Sequence, residues 1–392
     1  MVAVGSILFL TPSLSYVLVP DLHLTPTQLT LIFTAPVLMV ALLSIPGGAL
    51  GDRYGIRLVV GIAIILAGVS TLVRAWISGF GEMLALACIF GIGLGLVAPN
   101  LTRLVAVWFP RKETGLAVGI SSTGLSVGLG IGMVIGPYFG DWRSAFLCVG
   151  IITTALSILW LVFSRSAPKG IAIKTPSMVF GIKAALRSKN IWLLGLALLL
   201  VNGAALGISG NLPAALTNIR SISPKEAGAF TSLLTFAGIP GAILLPMISD
   251  RVGLRKPFIY AGLVIGAICL YFTWQLAPGA VAYALITVGG FALIGAATVF
   301  FTLPIEWAEI GQEYVGSASG VVTALGNVGG FLIPLLVVTP LMSAQTITAY
   351  NIGFLTTAIL SGVAFLLTTF LTESGTRVAL RTRKAIPGTC EE

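Results

Sequence analysis

Long apolar runs alternate with short polar breaks along the whole chain, at 2–19, 28–50, 58–77, 82–109, 116–138, 145–164, 191–216, 227–249, 257–276, 282–309, 317–340 and 347–371. Each run has the roughly 20 residues a helix needs to cross about 30 Å of hydrocarbon. Two of the breaks carry the same helix-start signal. Thr25-Pro26-Thr27-Gln28 and Ser223-Pro224-Lys225-Glu226 each read as an N-cap residue, a proline at the first helical position and a capping-box partner. The pattern predicts an all-α membrane protein of twelve transmembrane helices, six in each of two related halves.

Composition agrees with this reading. Of 392 residues, 57% are hydrophobic and only 9% charged, with a mean hydropathy of +1.04. Such a chain cannot coat a water-soluble globule with polar surface and must dissolve in lipid. A net charge of +9 would suggest nucleic acid for a soluble protein, but here the cations sort by loop. Arg53, Arg57, Arg111, Lys112, Arg165, Lys169, Lys174, Lys183, Arg187, Lys189, Arg251, Arg255, Lys256, Arg377, Arg381, Arg383 and Lys384 share one set of loops and tails, whereas the other set and the span ends beside it hold only Arg74, Arg143, Arg220 and Lys225. That asymmetry sets topology. It predicts a multi-pass protein of a plasma or inner cell membrane with both termini cytoplasmic, surrounded by lipid and without a nucleic-acid partner.

The N-terminal run lacks a basic flank and an Ala-x-Ala cleavage site, so it reads as a first span, short at its inner end, instead of a removable signal. Cys88, Cys148, Cys269 and Cys390 are scattered without a CxxC, which predicts neither a disulfide framework nor a metal site. The only histidine, His23, lies in an outer loop, so no histidine relay and no cofactor are expected. The expected organisation is a six-helix bundle at 1–165, a basic linker at 166–190 with a short amphipathic helix through Arg187, a second bundle at 191–371 and a tail at 372–392.

The halves also share a loop motif. Gly48-Ala49-Leu50-Gly51-Asp52-Arg53-Tyr54-Gly55-Ile56-Arg57 returns as Pro246-Met247-Ile248-Ser249-Asp250-Arg251-Val252-Gly253-Leu254-Arg255, an offset of 198 that also carries Pro26 onto Pro224. A duplicated membrane bundle is the mark of a secondary transporter whose halves rock about a shared site. The 48–57 string, following the second span, resembles the inner-loop signature of the major facilitator superfamily. The resemblance implies an inner gate built from Asp52, Arg53, Gly55, Arg57, Asp250, Arg251, Gly253 and Arg255. Asp52 would then face the start of span eleven and Asp250 the start of span five, where a helix N-terminus favours an anion. Arg53 and Arg57 would reach Glu309 or Glu313, and Arg251 and Arg255 would reach Glu113. Exposed ion pairs contribute only about 0 to 1 kcal/mol each, so such a gate breaks readily.

Spans five and eleven are rich in small residues: Gly115, Gly119, Gly124, Gly128 and Gly132 in one, and Gly316, Gly320, Ala324, Gly326 and Gly330 in the other. This spacing lets helices approach closely in lipid. Both spans also carry a polar stripe, Ser122 and Ser126 against Ser319, Thr323 and Asn327, as the wall of a central hydrophilic cavity would.

Only one basic residue lies well inside a span. Arg103 is costly in hydrocarbon unless it faces water or a partner, and Asn100 lies three residues earlier on the same face. Arginine pairs with oxyanions through two parallel hydrogen bonds. The segment Asn100 to Gly119, with Trp108-Phe109-Pro110 and Gly115-x-Ala117-x-Gly119, resembles anion-transporting branches of the superfamily, the organic anion symporters and the nitrate/nitrite porters. The arginines that nitrate porters carry on spans two and eight are replaced here by Ser44 and Ala242, which disfavours nitrate.

Arg103, Asn100, Asn202, Asn327, Ser126 and Thr323 are thus the expected solute contacts. Glu306 and Glu309 are proton-coupling candidates, because a carboxyl in low dielectric titrates nearer neutrality. A plain inner-surface ion pair of Glu306 with Arg53 or Lys112 is the competing reading. The expected protein is a monomeric secondary carrier, not an enzyme, moving a small polar anion, with a proton or another ion as coupling partner. An exporter of lipophilic drugs is the alternative within transport, and a non-transporting receptor the alternative outside it.

Overall fold

The computed structural model describes residues 1–109, 111–165, 178–277, 279–307 and 315–375. The N-terminal half runs through α1 (Val2–Ser13), α2 (Ser15–Asp21), α3 (Pro26–Tyr54), α4 (Ile56–Val73), α5 (Phe80–Trp108), α6 (Arg111–Ile135) and α7 (Trp142–Phe163). A short α8 (Met178–Arg187) precedes the second half. That half comprises α9 (Lys189–Arg220), α10 (Pro224–Val252), α11 (Lys256–Gln275), α12 (Ala280–Phe300), α13 (Leu303–Glu306), α14 (Val315–Ile333), α15 (Thr339–Met342) and α16 (Ile347–Thr369). Among the described residues, eleven stretches are long and apolar enough to cross a membrane, and the bent pair α1 and α2, taken as one span, makes twelve.

Three spans expected as continuous rods are interrupted. The first bends by 61° between α1 and α2, two residues after Pro12, whose ring removes a backbone donor. The bend brings the Ser13 hydroxyl onto the Gly132 carbonyl of α6 at 3.1 Å. Span ten breaks at Phe301-Thr302, and Pro304 in the first turn of α13 accounts for the restart. Span eleven passes through a π-helical turn, Pro334–Val338, before α15.

Local chemistry sets the span boundaries in both halves. Thr25 and Gln28 form the full reciprocal box, with bonds of 2.9 and 3.2 Å. At the matching site the Ser223 hydroxyl accepts from the Glu226 N–H at 3.3 Å, but the Glu226 carboxylate takes the serine hydroxyl's hydrogen at 3.1 Å instead of the backbone donor. Where α3 and α10 end, Gly55 and Gly253 have φ of 88° and 74°, a region side chains enter only with strain.

Each half has its own core. One buried apolar cluster draws only on residues from Val4 to Val149, a second only on residues from Ala185 to Leu371. Small residues carry the helix contacts. A Cβ at Gly132 would collide with the Ser6 carbonyl on α1, and one at Gly329 with the Leu199 carbonyl on α9. Large apolar side chains face outward, as Ile151, Leu156, Leu159 and Phe163 do on α7, the arrangement expected where the solvent is hydrocarbon.

Candidate functional site

The halves meet chiefly through two helix pairs, α3 with α14 and α6 with α10. These are the second, eleventh, fifth and eighth spans, so the pseudo-twofold relating the halves exchanges one pair for the other. The cleft between them is shut on one side and open on the other.

The shut side is the one opposite the basic loops. There the Thr30 and Thr339 hydroxyls are buried and bonded to each other at 2.8 Å across the halves. Asn211 on α9 reaches the same Thr339 oxygen at 3.4 Å. Phe33 lies so close to Gly210 that a Cβ there would stand 2.9 Å from the ring, and a Cβ on Gly228 would stand 2.6 Å from the Met133 carbonyl. Lys225 closes the rim with its ammonium 4.9 Å from the Tyr138 ring centre. None of these residues was singled out as a gate from sequence. The one available signal was that Phe33 and Gly210 interrupt otherwise aliphatic runs, which is too common to carry weight.

On the basic side the cleft gapes. A Cβ at Gly119, Gly316 or Gly320 would meet nothing within 4 Å, and Ile120 and Ser122 are exposed. Of the expected solute contacts, Ser126, Thr323, Asn202 and Asn327 are half-buried. Thr323 donates to the Ser319 carbonyl of its own helix at 2.8 Å, while the Asn202 amide lies against Gly326 between α9 and α14. Asn100 requires a correction. It is fully buried, and its amide donates to the Gly47 and Leu96 carbonyls at 2.8 Å each. It therefore clamps α5 to α3 and does not face the cleft, because the α3 backbone approaches closely at Gly47 and Gly51. The side chains of Arg103 and Asp52 lie outside the described part of the structure, as do Glu309 and Glu313.

Among the described residues, Arg57 and Arg255 find hydrogen-bonding partners within their own half. Arg53 is exposed, with its guanidinium 5.2 Å from the Tyr54 ring. Arg57 donates to the Leu161 carbonyl, and its own carbonyl accepts from the Trp160 indole at 3.2 Å. Arg251 and Glu113 are exposed. Arg255 was expected to face Glu113; instead it pairs with Asp250 at 2.5 Å and with Glu306 through two nitrogens, and it donates to Ser249 at 3.1 Å. Glu306 was expected as a proton-coupling carboxyl or as an ion-pair partner of Arg53 or Lys112. Besides Arg255 it holds the Ser374 hydroxyl at 2.7 Å. Glu373 caps the same corner, accepting the Arg255 and Lys256 N–H groups at 2.8 and 3.2 Å.

Hydrogen bonding to Glu306 raises the Arg255 pKa above its ordinary value, against the opposing pull of burial, and Asp250 adds to the rise. Since Arg255 is largely buried, stripping away Glu306 leaves a cation with one partner fewer. Glu306→Gln is expected to lower stability by about 1–3 kcal/mol, read as a fall in Tm of the purified protein. An unchanged Tm would show that Asp250 alone suffices.

A two-bundle helical protein with a cleft closed on one face and open on the other is built as an alternating-access carrier. The chain belongs to the Major Facilitator Superfamily, whose family model matches residues 1–334. It is a multi-pass membrane transporter of small solutes, not an enzyme. It is similar to the nitrite extrusion protein of Bacillus subtilis, 27% identical over 88% of this chain and 86% of that one. A second similar protein is the hexuronate transporter of the same organism, 27% identical over 81% and 79%. Among solved structures it superposes on a bacterial homolog of the human lysosomal transporter Spinster, in an inward-facing and unoccupied conformation, with a TM-score of 0.77, 16% identity and coverage of 94% and 95%.

Proposed function

We propose that this protein carries a small polar anion across a cell membrane by alternating access, with both termini and the basic loops in the cytoplasm. The observation that carries the reading is the cleft: sealed by Thr30, Thr339 and Asn211 on one face and open beside Gly119, Gly316 and Gly320 on the basic face; in this account Ser122, Ser126, Asn202, Thr323 and Asn327 supply its polar groups. In this reading the structure is the inward-open state. The names of two similar proteins, one for nitrite and one for hexuronate, support an anionic solute. So does Arg103, one turn beyond Asn100 toward the basic face on α5, since a guanidinium offers paired donors to an oxyanion.

Asp52, Arg53, Glu113, Asp250, Arg251 and Glu313 belong to the inner gate in this account, meeting across the halves only when the basic face closes. Gly55 and Gly253 supply the turns that place them. Arg57 and Arg255 anchor each loop to its own bundle. Coupling to a proton through Glu306 would require Arg255 to release it during that closure, and Glu309 is the second carboxyl available for the task. The working unit is the single chain.

The test is flux in proteoliposomes under an imposed gradient, with nitrite and glucuronate as probes. Saturable uptake of at least one is expected. Arg103→Ala should reduce it about tenfold or more, as loss of a charge-assisted pair implies. Absence of flux for both probes, or flux indifferent to Arg103, would remove the anionic reading.

A further inference from the structure

Arg74 is the most deeply buried cation among the described residues, and sequence reading placed it merely at a span end. It follows α4 directly, on the face opposite the basic loops, in the short turn Arg74–Trp76. Only 1% of its surface is exposed. Its Nε and Nη2 are buried without a hydrogen-bond partner, and among the described residues no carboxylate pairs with it. The guanidinium sits between the Phe90 and Phe146 rings, 5.6 and 5.3 Å from their centres. Such contacts contribute about 0.5 to 2 kcal/mol each, whereas an unpaired buried guanidinium costs several. Packing alone does not account for it.

The equivalent corner of the other half also holds a cation, but gives it acceptors. Gly79 and Gly279 open the equivalent helices α5 and α12. Five residues before each stand Arg74 and Trp274. The Trp274 indole donates to Asn351 at 2.7 Å and its ring packs against Tyr350 and Phe354. Arg220 lies 5.1 Å from that ring and donates to the Trp274 and Gln275 carbonyls at 2.8 and 3.1 Å, whereas the Nε and Nη2 of Arg74 have no such acceptors.

In this state Arg74 borders a largely apolar gap too small to hold a water molecule, shared with Leu8 and Thr11 of α1, Phe33 and Pro36 of α3, and Phe90 of α5. Phe33 lines this gap and also packs against Gly210 of the other half. Phe33 also belongs to the seal that must part when the carrier opens to the far side, and parting the halves there withdraws Gly210 from its ring.

We propose that Arg74 is an anion-docking residue of the outward-open state, receiving the carboxylate or other oxyanion of an incoming solute. The site lies on the face opposite the basic loops, whereas Arg103 lies toward the basic face. Phe33 covers Arg74 whenever the far side is shut, so the anion is released from it as the cleft turns inward. The inference rests on the anion-carrier reading above.

The experiment measures uptake of nitrite and glucuronate from the face opposite the basic loops, using wild type, Arg74→Met and Arg74→Lys, with the Tm of each purified protein. With Arg74→Met, KM should rise about tenfold or more while Tm holds or rises, because an unpaired buried charge has been removed. With Arg74→Lys, the charge stays but the paired geometry is lost, and KM should lie between the two. A packing role predicts the reverse, a lower Tm with unchanged KM, and that result overturns the proposal. Should the methionine variant not fold, Arg74→Lys decides alone: a wild-type KM refutes docking at this residue and a severalfold rise supports it. If wild type carries neither anion, the anion reading falls. If wild type carries one and KM ignores residue 74, only this inference falls.

Discussion

Cysteines introduced together at Thr30 and Thr339, with the native cysteines replaced by serine, will cross-link under mild oxidation and abolish transport, and reduction will restore it. The two hydroxyls are 2.8 Å apart across the halves, so sulfurs in their place need only a small approach to reach the roughly 2.05 Å of a disulfide bond. One hydroxyl pair contributes about 0.5–1.5 kcal/mol, so the native seal opens at small cost. A covalent bond at the same point does not open. The cross-linked protein should keep the conformation seen here and bind solute only from the basic face. Transport at the wild-type rate with the bond fully formed, shown by gel mobility, would place the moving seal elsewhere.

Glycine replacements should separate packing from motion. Gly329→Leu drives a side chain into the Leu199 carbonyl, where neither backbone can yield, and should lower stability by about 3 kcal/mol or more, seen as loss of folded protein on size exclusion. Gly119→Leu meets open space in this state and should leave Tm unchanged. It stands on the wall that must close in the opposite state, so it should slow transport severalfold. Equal damage to Tm from both substitutions would mean that the gap beside Gly119 is not a moving surface.

These contrasts mark what sequence can and cannot carry. Span positions, the capping residues at Thr25 and Ser223 and the internal repeat were legible, because each is written in neighbouring residues or in a simple offset. The fold class followed from them. The breaks near Pro12, Pro304 and Pro334 were visible as prolines, but their consequence depends on which neighbour fills the gap. Partners of the inner-loop charges were not legible. Arg255 had several carboxylates within plausible reach, and the choice of Asp250 and Glu306 over Glu113 depends on how far apart the halves stand. Asn100 was misplaced for a related reason: helical spacing gives a face, but does not say whether water or the α3 backbone lies on it. Arg74 escaped notice because it follows an apolar helix directly, where a cation is ordinarily solvated.

The bend at Leu14 has a bearing on the surrounding lipid. Beyond the joint, the tilted α2 touches α9 of the opposite half. The first span is therefore a jointed strut footed in one bundle with its tip on the other, and its reach depends on the joint angle. Bilayer thickness acts on that angle, which makes membrane composition a mechanical input to how the two bundles sit together.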